Sequence, residues 1–140
     1  MINTEIIKKK LNILRENLEQ IKEILKSSES EIKENNILLS AMERNFQLIV
    51  DAAVGINEHI ISEENLEVPD DYFRTFIILG KASILPLEFT EKIAPSVGLR
   101  NQIIHQYEKV DIEKMLKGIK ENIHQYDEYI ALIIARYQLS

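Results

Sequence analysis

A chain of 140 residues, 45% of them hydrophobic and 29% charged, is long enough for one domain, residues 1–140, with a continuous buried core. The absence of cysteine excludes a disulfide scaffold, a thiol nucleophile and a Cys-ligated zinc site. A net charge of −6 excludes a broad basic surface as the means of holding nucleic acid, so any RNA contact must be local.

The first helix is predicted from Thr4 to about Lys26. Ile7, Leu11, Leu14, Leu18, Ile21 and Leu25 recur at alternating steps of four and three, one apolar stripe, and Asn3 or Thr4 supplies an N-cap. Ser27 to Ser30 reads as a polar turn. A second helix follows from Ile32 to about Ile61, with Leu38, Met42, Phe46, Ile49, Ala53, Ile56 and Ile60 on its apolar face. Asn35-Asn36 is a possible break within it. Ala52, Ala53 and Gly55 are small enough to let another helix approach closely. Val68-Pro69-Asp70-Asp71 is a helix-start signal, with proline near the first turn and carboxylates at the positive dipole end. The third helix then runs to about Ile84 and carries Tyr72, Phe73, Phe76, Ile77 and Leu79.

Leu85-Pro86 interrupts the pattern, and a short helical piece covers Leu87 to Ala94 before Pro95-Ser96 restarts the chain. The last helix takes Asp111 as N-cap and extends to about Tyr137. Its stripe of Ile112, Leu116, Ile119, Ile123, Tyr126, Ile130, Ile133 and Tyr137 alternates at four and three without a miss. Beyond Tyr129 the apolar residues spread round the helix, which predicts burial on more than one face. No strand alternation or hairpin dipeptide appears. The expectation is an all-α bundle of four main helices plus short ones.

The N-terminal ten residues lack the pattern of a signal peptide, and no apolar run approaches the roughly 18 residues of a membrane span. The natural assignment is the cytoplasm, with no membrane partner.

Chemistry concentrates between Gly98 and Asp111, where Arg100, Asn101, His105 and Tyr107 form Arg-x4-His-x-Tyr with an Asn after the Arg. On a straight helix Arg100 and Tyr107 share one stripe, and Asn101 and His105 share another about 140° away. The four cannot all address one small ligand from one ideal helix. Either the helix begins or bends inside the motif, which Pro95 and Gly98 favour near Arg100, or two copies of the motif meet.

The residue types suit phosphate. Arginine offers a planar, permanently charged fork, and histidine exchanges a proton near neutral pH. RNA cleavage needs a base for the 2′-hydroxyl, an acid for the leaving oxygen and positive charge for the crowded phosphorus, with no metal or cofactor required. The same residues also fit a plainer reading, as surface and packing groups. The chain contains a control: Ile123-His124-Gln125-Tyr126 repeats Ile104-His105-Gln106-Tyr107, but Ile119 stands where the arginine would be. His-Gln-Tyr alone therefore carries no weight.

Other constellations are weaker. His59, near Glu58, Glu63 and Glu64, reads as a surface histidine rather than a metal ligand. Lys8-Lys9-Lys10 reads as a solvated face. The four glycines are isolated and form no phosphate loop.

The resemblance extends beyond the motif. Glu43-Arg44-Asn45-Phe46-Gln47 with Asp51-Ala52-Ala53 is similar to the second-helix pattern of HepT-like toxins of the HEPN superfamily. Leu99-Arg100-Asn101 through His105-Gln106-Tyr107, then Val110-Asp111, is similar to that family's motif almost position for position. The match covers roughly Leu38 to Ile134. It implies a small α-helical homodimer acting as a metal-independent ribonuclease on RNA, with tRNA and mRNA both candidate substrates. Arg100 and His105 would be the catalytic pair facing each other across the dimer cleft, with Asn101, Tyr107, Arg44 and Asp51 in support. Arg44 and Asp51 equally fit as surface charges. The implied partner is a minimal nucleotidyltransferase antitoxin, MntA, which adds AMP to the motif tyrosine, here Tyr107. A bulky anion there would repel an RNA phosphate. The alternative is a non-catalytic HEPN module that binds a nucleotide, RNA or the nucleotidyltransferase through the same cleft.

Overall fold

The computed structural model describes residues 1–105 and 111–139. Among them the chain is helical, with α1 at Thr4–Ile24, α2 at Glu29–Glu34, α3 at Asn36–Glu63, α4 at Tyr72–Lys81, α5 at Leu87–Ile93, α6 at Ser96–Ile104 and α7 at Ile112–Tyr137. No strand occurs among the described residues.

The amphipathic stripes bury as their spacing requires. Ile7, Leu11, Leu14, Leu18 and Ile21 of α1 are buried, as are Met42, Phe46, Ile49, Ala53, Ile56 and Ile60 of α3. The α1–α3 pair is antiparallel, because its ties join Asn3 to His59 at one end and Asn17 and Gln20 to Asn45 towards the other. Asn3 caps α1 by accepting from the amides of Glu5 and Ile6. Its own amide donates to His59 Nε2 at 2.9 Å. His59 therefore acts as a clasp between the start of α1 and the last turns of α3. Lys10, expected on a solvated face, lays its side chain over Gly55.

The long second helix divides. Ser28 opens α2 with a reciprocal capping box, its Oγ accepting from the Glu31 amide and Glu31 Oε1 accepting from the Ser28 amide. Asn35 ends α2 and caps α3 through the amides of Ile37 and Leu38. The break offered by Asn35-Asn36 is thus real, and the stretch expected as a turn starts a helix. The third helix also stops earlier than Ile84, at Lys81, where Ser83 takes a positive φ of 60°. Asp71, rather than Pro69, opens it, accepting from the Arg74 amide at 2.8 Å.

Helix α7 packs across the others. Leu116, Ile119, Ile123, Tyr126, Tyr129, Ile130 and Ile133 are buried, and Leu132 and Ile134 pack partly buried beside them. That widened apolar face is the one its last turns predicted. Tyr129 crosses to α3 and donates to Asn57 Oδ1 at 2.6 Å, while Asn57 Nδ2 donates to Thr75 Oγ1 at 3.2 Å. Thr75 in turn donates to the Tyr72 carbonyl at 2.7 Å. A buried polar chain therefore runs from α7 through α3 to the first turn of α4, and each member is hydrogen-bonded, as burial of polar groups demands. Burial pushes the Tyr126 and Tyr129 hydroxyls above the ordinary tyrosine range, so both stay protonated.

Candidate active site

Helix α6 carries the motif, and its two ends decide where the motif residues point. It starts at Ser96, a full turn before Arg100, and so does not begin inside the motif as Pro95 and Gly98 had suggested. Ser96 is buried, and its hydroxyl lies 2.7 Å from the Tyr126 hydroxyl of α7. Gly118 on α7 lets Leu99 come close, since a Cβ there would lie 2.9 Å from Leu99 Cδ2. These contacts seat one face of α6 on α7. The helix stops at Ile104, with His105 as its C-cap at φ −100° and ψ 35°. The motif is therefore broken by a helix end rather than a helix start.

Arg100 projects towards α3. Its Nε donates to Asp51 Oδ1 at 3.0 Å, and Nη2 lies 2.9 Å from the same oxygen. The Arg100 side chain is only 15% exposed and that of Asp51 32%, so the pair is screened less than a surface salt bridge. On its other side the guanidinium carbon lies 5.0 Å from the centre of the Tyr72 ring of α4, a cation–π contact. Nη1 donates to Asn101 Oδ1 at 3.1 Å. Three helices thus fix one side chain. Asn101 also accepts the His105 amide on its carbonyl at 2.9 Å, linking the arginine to the helix end where the exposed His105 sits.

The expected supporting residues separate. Asp51 and Asn101 contact Arg100 directly. Arg44, two turns before Asp51 on the same stripe of α3, is exposed and donates to Gln47 at 3.1 Å. Tyr107 lies outside the described residues. In the control tetrapeptide, Tyr126 is fully buried and His124 is exposed on ordinary helix. Sequence reading assigned Tyr72 to an apolar face and missed its place against Arg100. The only local signal was the Asp71 cap, which fixes where α4 begins.

Beside Arg100 an open depression of about 380 Å³ lies between α4 and α6, bordered by Asp71, Tyr72, Phe73, Val97, Gly98, Arg100 and Asn101. The chemistry available is a fixed guanidinium with its carboxylate counter-ion and an amide, with an exposed imidazole at the end of the same helix. That set suits an anionic oxygen and a proton transfer. Among the described residues no helix is long and apolar enough to cross a membrane.

The family model described as ribonuclease HepT-like matches residues 14–133. The chain is 41% identical over 91 residues to the tRNA nuclease HepT of Aphanizomenon flos-aquae, spanning 65% of this chain and 62% of that protein's length. It is 21% identical over 131 residues to the mRNA nuclease HepT of Shewanella oneidensis, spanning 94% and 98%. Among solved structures, the tri-AMPylated Shewanella oneidensis HEPN toxin in complex with its MNT antitoxin superposes with a TM-score of 0.85 at 21% identity, over 93% of this chain and 97% of that one. The helices described above therefore form the HEPN-type bundle.

Proposed function

The chain belongs to the HepT-like ribonuclease family, and on that premise we propose that it cleaves RNA as the toxin of a cytoplasmic toxin–antitoxin pair. The observation that carries the reading is Arg100, held by Asp51, Tyr72 and Asn101 on a helix that terminates at an exposed His105. A partly buried, pre-oriented guanidinium suits phosphate recognition, since no reorganisation is needed when charge builds on the phosphoryl oxygens.

In this mechanism Arg100 binds the scissile phosphate and His105 takes the proton of the adjacent 2′-hydroxyl. The 2′-oxygen attacks phosphorus, the bond to the 5′-oxygen breaks, and that oxygen leaves as a hydroxyl by taking a proton from water, while the imidazolium returns the 2′ proton to the hydroxide so formed. The products are a 2′,3′-cyclic phosphate and a 5′-hydroxyl end, formed without a metal. Five residues apart on a helix, Arg100 and His105 diverge by about 140°. The catalytic unit is therefore completed across a homodimer, with Arg100 of one copy facing His105 of the other.

The partner is a minimal nucleotidyltransferase antitoxin of the MntA type, which silences the toxin by adding AMP to Tyr107. An added phosphate beside the cleft opposes an incoming RNA phosphate.

Cleavage of a mixed RNA and tRNA pool in excess EDTA tests the reading, with Arg100→Ala and His105→Ala run beside wild type and helicity checked on all three. Cleavage by wild type alone is the expected result. Should unmodified wild type bind RNA without cutting it, the chain is a binding module instead.

A further inference from the structure

Resting on that ribonuclease reading, we propose that the depression beside Arg100 is a nucleobase subsite in which Phe73 is the stacking platform for a base neighbouring the bound phosphate. Phe73 stands in the first turn of α4 and is 41% exposed. The other large apolar side chains left exposed among the described residues are aliphatic: Met1, Ile6, Ile13, Ile37, Val68 and Leu87. An aromatic ring left in water beside a fixed cation is what single-stranded nucleic-acid sites provide, a flat surface for the base and positive charge for its backbone.

The two walls differ in a way that matches a nucleotide. The α6 wall presents Arg100 and Asn101, while the α4 wall presents Phe73 and Asp71. Asp71 Oδ1 takes the Arg74 amide at 2.8 Å, and a carboxylate has further acceptor sites for a base N–H. It would repel a phosphate. The phosphate therefore lies against α6 and the base against α4. Between them Gly98 leaves space, since a Cβ built there meets no heavy atom within 4 Å. The volume of about 380 Å³ falls at the small end of ligand sites, which suits a single nucleotide.

The test uses full-length protein and an uncleavable 2′-deoxy oligonucleotide of about ten nucleotides, within the usual span of such sites. One 2-aminopurine steps along the strand through a series, and its fluorescence is quenched on stacking. Wild type is expected to quench it at one register. Phe73→Leu is expected to abolish that quench and weaken binding about tenfold, while Phe73→Trp retains both. Gly98→Leu, which adds a side chain to the space left open beside Gly98, is expected to reproduce the loss. Sedimentation of each variant should match wild type. Unchanged binding and quench in Phe73→Leu would overturn the subsite. A change of oligomeric state in that variant would also overturn it, by making this face a contact between copies of the chain. If wild type cleaves RNA and Phe73→Leu is neutral, the subsite alone fails. If wild type neither cleaves nor binds, the ribonuclease reading fails with it.

Discussion

Arg100 gives up much of its freedom to Asp51, Tyr72 and Asn101, and each contact has a separable consequence. Asp51 orients the guanidinium and moderates its charge, so Asp51→Ala should lower kcat by about ten- to a hundredfold. KM should change less, because mispositioning harms the transition state more than binding. The cost to folding should stay below about 1 kcal/mol, as for other partly exposed ion pairs. Tyr72→Phe keeps a ring beneath the guanidinium and should be near neutral. Tyr72→Leu removes a contact of about 0.5–2 kcal/mol and should slow cleavage in proportion. Initial rates at saturating and limiting RNA separate these outcomes. The two tyrosines of the repeated His-Gln-Tyr tetrapeptide make a further distinction. Tyr126 is buried against Ser96 and inaccessible to a transferase, so AMP, at about 329 Da per addition, should map to Tyr107 alone. A peptide map placing AMP on Tyr126 would contradict the buried position of that residue.

At the scale of elements, the long helices were legible because each buries one face, and a stripe at steps of four and three reports that directly. The starts of α2 and α3 are set by side-chain capping, the first missed in the sequence and the second offered there only as a break within one helix. Ser28 and Asn35 are polar residues whose hydrogen bonds begin helices, yet in sequence they resemble turns. Helix α6 escaped for another reason. Only Ser96, Val97 and Ile103 are buried along it, too few to make a stripe, and Ser96 is held by a hydrogen bond to Tyr126. Within the site, Arg100 and His105 were candidates by residue type and spacing, whereas Tyr72 was not. Its role exists only once α4 packs beside α6, and no local pattern encodes that packing. Two glycines in these short helices should behave oppositely. Gly98→Ala meets open space and should stabilise by about 0.5–1 kcal/mol. Gly80→Ala would collide with Thr90 Oγ1 and approach the Leu87 backbone at 3.2 Å, costing about 1–3 kcal/mol. Thermal melts should move in opposite directions by several degrees.

For the whole molecule, a net charge of −6 and a confined cationic site imply few phosphate contacts. With about two of them on a single strand, kcat/KM should fall by less than about tenfold between 50 and 200 mM salt. A loss of a thousandfold would mean an extensive basic track and would contradict a confined site. On the proposed mechanism, Arg100 within α6 and His105 at its C-cap meet only across two copies of the chain, which would make a dimer the functional unit. The most direct test mixes Arg100→Ala and His105→Ala subunits, with heterodimer formation verified by native mass spectrometry. A site built from Arg100 of one copy and His105 of the other leaves one intact unit in each heterodimer. Activity should then return to about a quarter of wild type on statistical mixing. If verified heterodimers remain as inactive as either parent while unmodified wild type cleaves, the site is not shared between copies and the account of its geometry is wrong.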